Sequence, residues 1–172
     1  MKKILAINFS QTGQLDDIIN KFLEPFCNED IDRINIQSEK PFPFPWNPEE
    51  FFDIMPETVL EIPILINPIN FKYEKYDLII LGHQPWFLSP SMPTTALFQN
   101  QKFCEILNKT PIITIIGARN MWISAQERIK QLIDNAGGEL VGNIPFIDKT
   151  PNLISVITIS HWMFSGKKEK KW

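Results

Sequence analysis

The apolar positions of this chain change period several times along its length. Ile4-Leu5-Ala6-Ile7-Asn8-Phe9 is an apolar run of strand length that breaks into Ser10-Gln11-Thr12-Gly13-Gln14. Leu15, Ile18, Ile19, Phe22 and Leu23 then recur at i, i+3, i+4, i+7 and i+8, one face of an amphipathic helix. Asp16 and Asp17 fall in its first turn, where carboxylates suit the helix dipole, and Pro25 stops it. Ile31 to Ile36 predicts a second, more polar strand of the kind found at a sheet edge. Tyr76 to Gly82 and Pro111 to Gly117 are continuous apolar runs, as in strands buried on both faces of a parallel sheet. Pro93 suits the start of a helix reaching about Asn100. Trp122, Ala125, Ile129, Leu132, Ile133 and Ala136 trace a longer helical stripe, capped by Gly137-Gly138, and Glu139 to Gly142 begins a short strand. Leu153 to Phe164 is rich in β-branched residues, which favours a strand. Thr150-Pro151 reads as an N-cap and first helical residue, however, and Gly166 as a stop, so the pattern predicts a helix.

Strands and helices therefore alternate, the signature of an open parallel sheet with helices on both faces. The exception is the segment from Gln37 to about Tyr73. It holds Pro41, Pro43, Pro45, Pro48, Pro56, Pro63 and Pro68, half of the chain's 14 prolines. Pro-Phe-Pro-Phe-Pro-Trp cannot make a regular helix or a central strand, although Glu49 to Ile54 suits a short helix. Its aromatic content predicts that it packs on the domain as an elaborate crossover; a lid or partner surface is the alternative.

Composition narrows the class. A chain of 172 residues, 44% hydrophobic and 22% charged, reads as one globular domain spanning 1–172, with an insert at about 38–73 and a basic tail at 167–172. A net charge of −3 excludes a global attraction to nucleic acid. Cys27 and Cys104 match no metal spacing and suit reduced thiols in the cytoplasm. The start superficially resembles a signal peptide, but its apolar run is too short, and no run approaches the roughly 18 apolar residues of a membrane span. Stable membrane insertion is not expected, and the tail reads as solvated.

Candidate chemistry gathers at one sheet edge. Gly13, Gly82 and Gly117 fall at or just beyond the carboxyl ends of the first, third and fourth strands. Ligands of doubly wound sheets bind there, at the switch point of the 2-1-3-4-5 order. The Ser10 and Thr12 hydroxyls, the N–H groups of Gly13 and Gln14, and a helix N-terminus would converge on an anion such as a phosphate.

These residues resemble the flavodoxin-like family. Ser10-Gln11-Thr12-Gly13-Gln14 is similar to the flavodoxin phosphate loop, with Leu15 where a threonine usually stands. Leu81-Gly82-His83-Gln84-Pro85-Trp86-Phe87, with Met92-Pro93 beyond, resembles the loop that lays an aromatic ring beside the flavin, and Gly117-Ala118-Arg119-Asn120-Met121-Trp122 stands in the place of the third flavin loop. More narrowly, the start and the Pro-rich insert resemble bacterial proteins labelled dialkylresorcinol condensing enzymes.

The resemblance implies an α/β, flavodoxin-like three-layer sandwich with a five-stranded parallel sheet in order 2-1-3-4-5. It implies FMN held by Ser10, Gln11, Thr12, Gly13, Gln14, Leu15, Gln84, Pro85, Trp86, Phe87, Gly117, Ala118, Arg119, Asn120 and Met121. In it, Trp86 or Phe87 stacks on the ring, Arg119 favours the reduced flavin, and His83 is a candidate for proton transfer or a structural hydrogen-bonder. The activity implied is an NAD(P)H-dependent reductase passing electrons to a small-molecule or protein acceptor. The competing reading is a module with a weak flavin site serving as carrier or partner protein, and self-association into a homodimer is left open. Condensation chemistry would need a nucleophilic cysteine helped by a histidine, and neither Cys27 nor Cys104 stands beside one in sequence.

Overall fold

A computed structural model describes residues 1–119, 121–148 and 152–167. Its main sheet is built from β1 (Lys3–Asn8), β2 (Asp30–Asn35), β3 (Leu78–His83), β6 (Pro111–Ala118) and β7 (Glu139–Ile147). All neighbouring pairs are parallel, in the order β2-β1-β3-β6-β7. Counting only these five strands gives the expected 2-1-3-4-5. The helices are α1 (Gln14–Leu23), α2 (Pro48–Val59), α3 (Met92–Leu97), α4 (Gln101–Leu107), α5 (Ile123–Asn135) and α6 (Asn152–Ser165).

Alternation along β1 explains the two layers. Ile4 and Ala6 pack with Leu15, Ile19 and Leu23 of α1, whereas Leu5, Ile7 and Phe9 pack with Leu97, Phe103, Ile106, Ile129 and Ile133 from α3, α4 and α5. Each fully buried aliphatic side chain contributes about 1.5–3 kcal/mol relative to exposure. Gly82 is required by this packing, since a Cβ there would lie 2.8 Å from the Cβ of Asn8 and 3.0 Å from Cδ1 of Ile19.

Two expectations are corrected, and one small element was not foreseen. The helix at Pro93 ends at Leu97, and a separate α4 begins at Gln101 because the Asn100 side chain accepts a hydrogen bond from the N–H of Phe103. The last strand continues beyond Gly142 to Ile147, pairing all along β6. Between β3 and α3 the chain forms a small hairpin, β4 (Pro85–Trp86) with β5 (Ser89–Pro90), turning through Phe87 and Leu88 at positive φ. The helical expectation for the last element agrees with α6, which ends as Gly166 adopts φ 70°. Thr150-Pro151 and the tail from Lys168 onward lie outside the described residues.

The Pro-rich segment packs as ordered structure over the carboxyl end of the sheet. Ser38 bridges Ile66 in antiparallel fashion, and the N–H groups of Glu39 and Asn67 donate to Leu65 and Gln37 carbonyls at 3.0 and 2.8 Å. Arg128 of α5 grips Glu61, just past α2, with two parallel bonds of 2.5 and 2.7 Å. The N–H of Trp46 donates to the Met163 carbonyl of α6 at 2.8 Å. Among the described residues no helix is long and apolar enough to cross a membrane.

Candidate functional site

The break after β1 is set by chain geometry. Phe9 turns inward, the chain leaves the sheet at Ser10, and Gly13 at φ 79° starts α1. A left-handed residue suits glycine there, because a Cβ carries a steric penalty in that region. The first N–H groups of a helix have no intrahelical partner, and at α1 no side-chain cap accepts from them. The Ser10 hydroxyl is buried without a hydrogen-bond partner. A buried hydroxyl left unpaired costs about 1–3 kcal/mol, so it marks a place where a polar group belongs. The Gln11 amide instead donates to the Pro43 carbonyl at 2.7 Å, tying the loop to the Pro-rich strap. Thr12 is half-buried and Gln14 exposed.

Leu15 is 2% exposed, and its Cδ1 lies 3.5 Å from where a Cβ on Gly117 would stand. Packing between α1 and β6 accounts for a leucine here. Asp16, in the first turn, accepts from the Asn8 amide at 2.9 Å and pairs with Arg33 at 3.0 Å. Its negative charge is thus matched beside a helix end that favours anions.

After β3, the hairpin carries Gln84, Pro85, Trp86 and Phe87. The Gln84 carbonyl accepts from the Ser91 N–H at 3.1 Å, and the Pro85–Pro90 and Trp86–Ser89 pairs hold the loop. Trp86 sits among aromatic rings, with centroids 5.8 Å from Phe9, 4.9 Å from Phe42 and 5.8 Å from Trp46, all near perpendicular. Phe87 lies 4.8 Å from Phe51 of α2. Trp86 therefore joins the strap to the core, a role that sequence spacing did not show. The signal was the alternation of proline and aromatic residues from Pro41 to Trp46, which presents rings from a stiff backbone.

His83 is fully buried at the end of β3, on the α5 side of the sheet. Its Nε2–H donates to the Gln126 Oε1 at 3.0 Å; Gln126 in turn donates to Thr114 Oγ1 at 3.2 Å, and Thr114 to Asn143 Oδ1 at 3.2 Å. With the Gln126 amide committed to Thr114, its oxygen is the acceptor and the imidazole proton sits on Nε2. Desolvation pulls the His83 pKa down to about 4, so the ring is neutral at pH 7. Gln126, Thr114 and Asn143 form a polar chain that the sequence reading missed.

The third loop follows β6. The Ala118 carbonyl accepts from the Asp148 N–H at 3.1 Å, Arg119 is half-buried, and Met121 is 68% exposed. Asn120 lies outside the described residues. The loops after β1, β3 and β6 all leave the carboxyl edge of the sheet, with β1 and β3 adjacent. Among the described residues no group of histidine, cysteine and carboxylate side chains could hold a metal. Cys104 donates weakly to the Phe98 carbonyl at 3.1 Å, and burial pushes its thiol pKa up, which does not suit a nucleophile.

This architecture is the flavodoxin-like α/β fold. A flavoprotein from Lactobacillus acidophilus NCFM, solved in complex with FMN, has a TM-score of 0.68 at 18% identity, over 84% of this chain and 93% of that one. The apo-form of the L. acidophilus flavoprotein gives 0.62 at 16% identity, over 87% and 94%. The flavodoxin of Fusobacterium nucleatum bound to flavin mononucleotide gives 0.52 at 11% identity, over 88% and 80%. At these identities the likeness establishes the fold. It supports the flavodoxin-like resemblance and not the narrower dialkylresorcinol one. No family model matches the sequence, and no curated protein matches it.

Proposed function

We propose that this chain is an FMN-binding flavodoxin-like flavoprotein. The observation that carries the reading is the buried, unpaired Ser10 hydroxyl beside the uncapped start of α1. Together they offer a hydroxyl and backbone N–H donors to a phosphate, where the helix dipole also favours negative charge. Proteins sharing the fold are described with FMN bound. Ser10 and Thr12, with the N–H groups of Gly13, Gln14 and Leu15, would hold the phosphate, while Gln11 braces the loop through its bond to Pro43. Gln84, Pro85, Trp86 and Phe87 of the second loop and Gly117, Ala118, Arg119 and Met121 of the third would hold the ring system. Bound FMN supplies one- and two-electron transfer; the chain orients it and sets the charge around it. The Arg119 guanidinium contributes positive charge from the third loop.

Within this reading the electron donor is NAD(P)H and the activity a reductase. Electron carriers gain from strong net charge that steers them to partners, and −3 is modest. The ordered strap over the loops also suits a site that admits small molecules. A second reading, a module with a weak flavin site acting as a carrier or partner protein, is favoured by the engagement of Trp86 with Phe9, Phe42 and Trp46.

FMN and riboflavin titrations into purified protein, followed by flavin fluorescence and gel filtration, test the first reading. FMN is expected to bind and co-elute, riboflavin to bind much more weakly, and Thr12→Val to weaken FMN by roughly tenfold or more. Equal affinity for riboflavin and FMN would remove the phosphate assignment, and absence of binding at millimolar FMN would remove the flavin. Bleaching of bound flavin by NADPH separates reductase from carrier.

A further inference from the structure

We infer that a cavity within the Pro-rich segment, adjoining the flavin loops, binds a small amphipathic organic cation. The cavity has a volume of about 480 Å³, within the range of small-molecule sites. Its apolar surface comes chiefly from Phe42, Ile54, Ile64, Leu65 and Met92, of which Met92 is 1% exposed. Its ionisable residues are unbalanced: Glu39, Glu50, Asp53 and Glu57 against Lys40. None of those four carboxylates forms an ion pair among the described residues.

The acidity is positioned. Glu50, Asp53, Ile54 and Glu57 recur at i, i+3, i+4 and i+7, so one face of α2 presents three carboxylates around an isoleucine. That face is held in place. The Asn47 side chain caps α2, Phe51 packs on Phe87 and Trp46, and Glu61 is gripped by Arg128. The opposite wall is the paired backbone of 37–39 and 65–67. A cavity framed by ordered elements avoids much of the ordering cost of binding. An alkyl or aryl body suits the apolar lining, and an ammonium or guanidinium head is drawn to the carboxylates. A carboxylate or phosphate ligand would meet like charge. With a net charge of only −3 on the chain, four acids around one cavity, none in an ion pair among the described residues and one of them, Glu50, hydrogen-bonded to Asn47, mark a local field that favours cations. The site shares its wall with the flavin loops, since Pro43 bonds Gln11 and Phe42 packs on Trp86, but its recognition does not depend on FMN.

Isothermal titration with octylammonium, octanol and octanoate tests the inference on protein both free of and saturated with FMN. Octylammonium is expected to bind measurably tighter than octanol, to weaken with added salt, and to exclude octanoate. The triple variant Glu50→Gln, Asp53→Asn, Glu57→Gln is expected to lose affinity for octylammonium by about tenfold or more, with an unchanged circular dichroism spectrum and affinity for octanol. Ile54→Gln is expected to weaken octylammonium and octanol together. Equal binding of all three probes, or an unaffected triple variant, would overturn the cation assignment. Failure of FMN to bind would leave this result standing, because the octylammonium titration is read without it.

Discussion

Removing the Ser10 hydroxyl is expected to move stability and ligand affinity in opposite directions. Ser10 Oγ is buried and unpaired, so the unliganded protein carries an unmet polar group. Ser10→Ala deletes that group and leaves the β1–α1 turn intact, because the turn is set by Gly13 at φ 79°. At the low end of the usual cost, the variant gains about 1 kcal/mol without FMN, or roughly 2–4 °C in Tm for a chain of this size. If the hydroxyl serves the phosphate, its loss costs about 1.5 kcal/mol or more of binding, at least roughly tenfold in Kd. Saturation stabilises by RT ln(1 + [L]/Kd), so a tenfold weaker variant loses its lead once free FMN passes roughly ten times the wild-type Kd. The assay is thermal unfolding at a series of FMN concentrations, with Kd measured independently by flavin fluorescence. Melting curves that keep the same order at every FMN concentration would refute the reasoning, as would a variant that melts lower without ligand.

Other predictions rest on separate features. Gly82→Ala places a Cβ 2.8 Å from that of Asn8, between β1 and β3, and is expected to destabilise by about 1–3 kcal/mol in urea unfolding. His83 has a native pKa depressed to about 4, below its ordinary 6.5, so the unfolded chain takes up the proton first. Its contribution is fully present above about pH 6.5 and is lost as pH falls toward 4, by roughly 3 kcal/mol at most, and His83→Gln is expected to flatten that part of the stability–pH curve relative to wild type. Arg128→Ala breaks a partly exposed pair with Glu61, so global stability is expected to fall by no more than about 1 kcal/mol while amide exchange speeds up around α2. Uniform protection across the chain would show that this grip does not hold the strap.

Much of the scaffold was legible because it depends on local rules. The continuous apolar runs at 76–82 and 111–117 reported central strands, the mixed run at 31–36 reported an edge, and Leu15 to Leu23 reported the helix over the sheet. Elements missed have equally local explanations. Asn100 caps a new helix, and Pro85 and Pro90 bracket a hairpin too short to show a period of two. The candidate site was legible only as three loops at one sheet edge. Which polar groups were paired was not, because Asp16 meets Arg33 across 17 residues and His83 meets Gln126 across 43.

The order of residues alone determined the alternation of strand and helix and the turn chemistry at Gly13, since these follow from side-chain period and backbone sterics. Tertiary structure alone decided where Trp86 spends its ring surface, that Ser10 is left unpaired, and that three acids of α2 face an apolar wall. Those outcomes depend on distances between segments far apart in the chain. They are set by how the Pro-rich strap folds back over the sheet edge, where burial makes each unpaired polar group and each aromatic contact count.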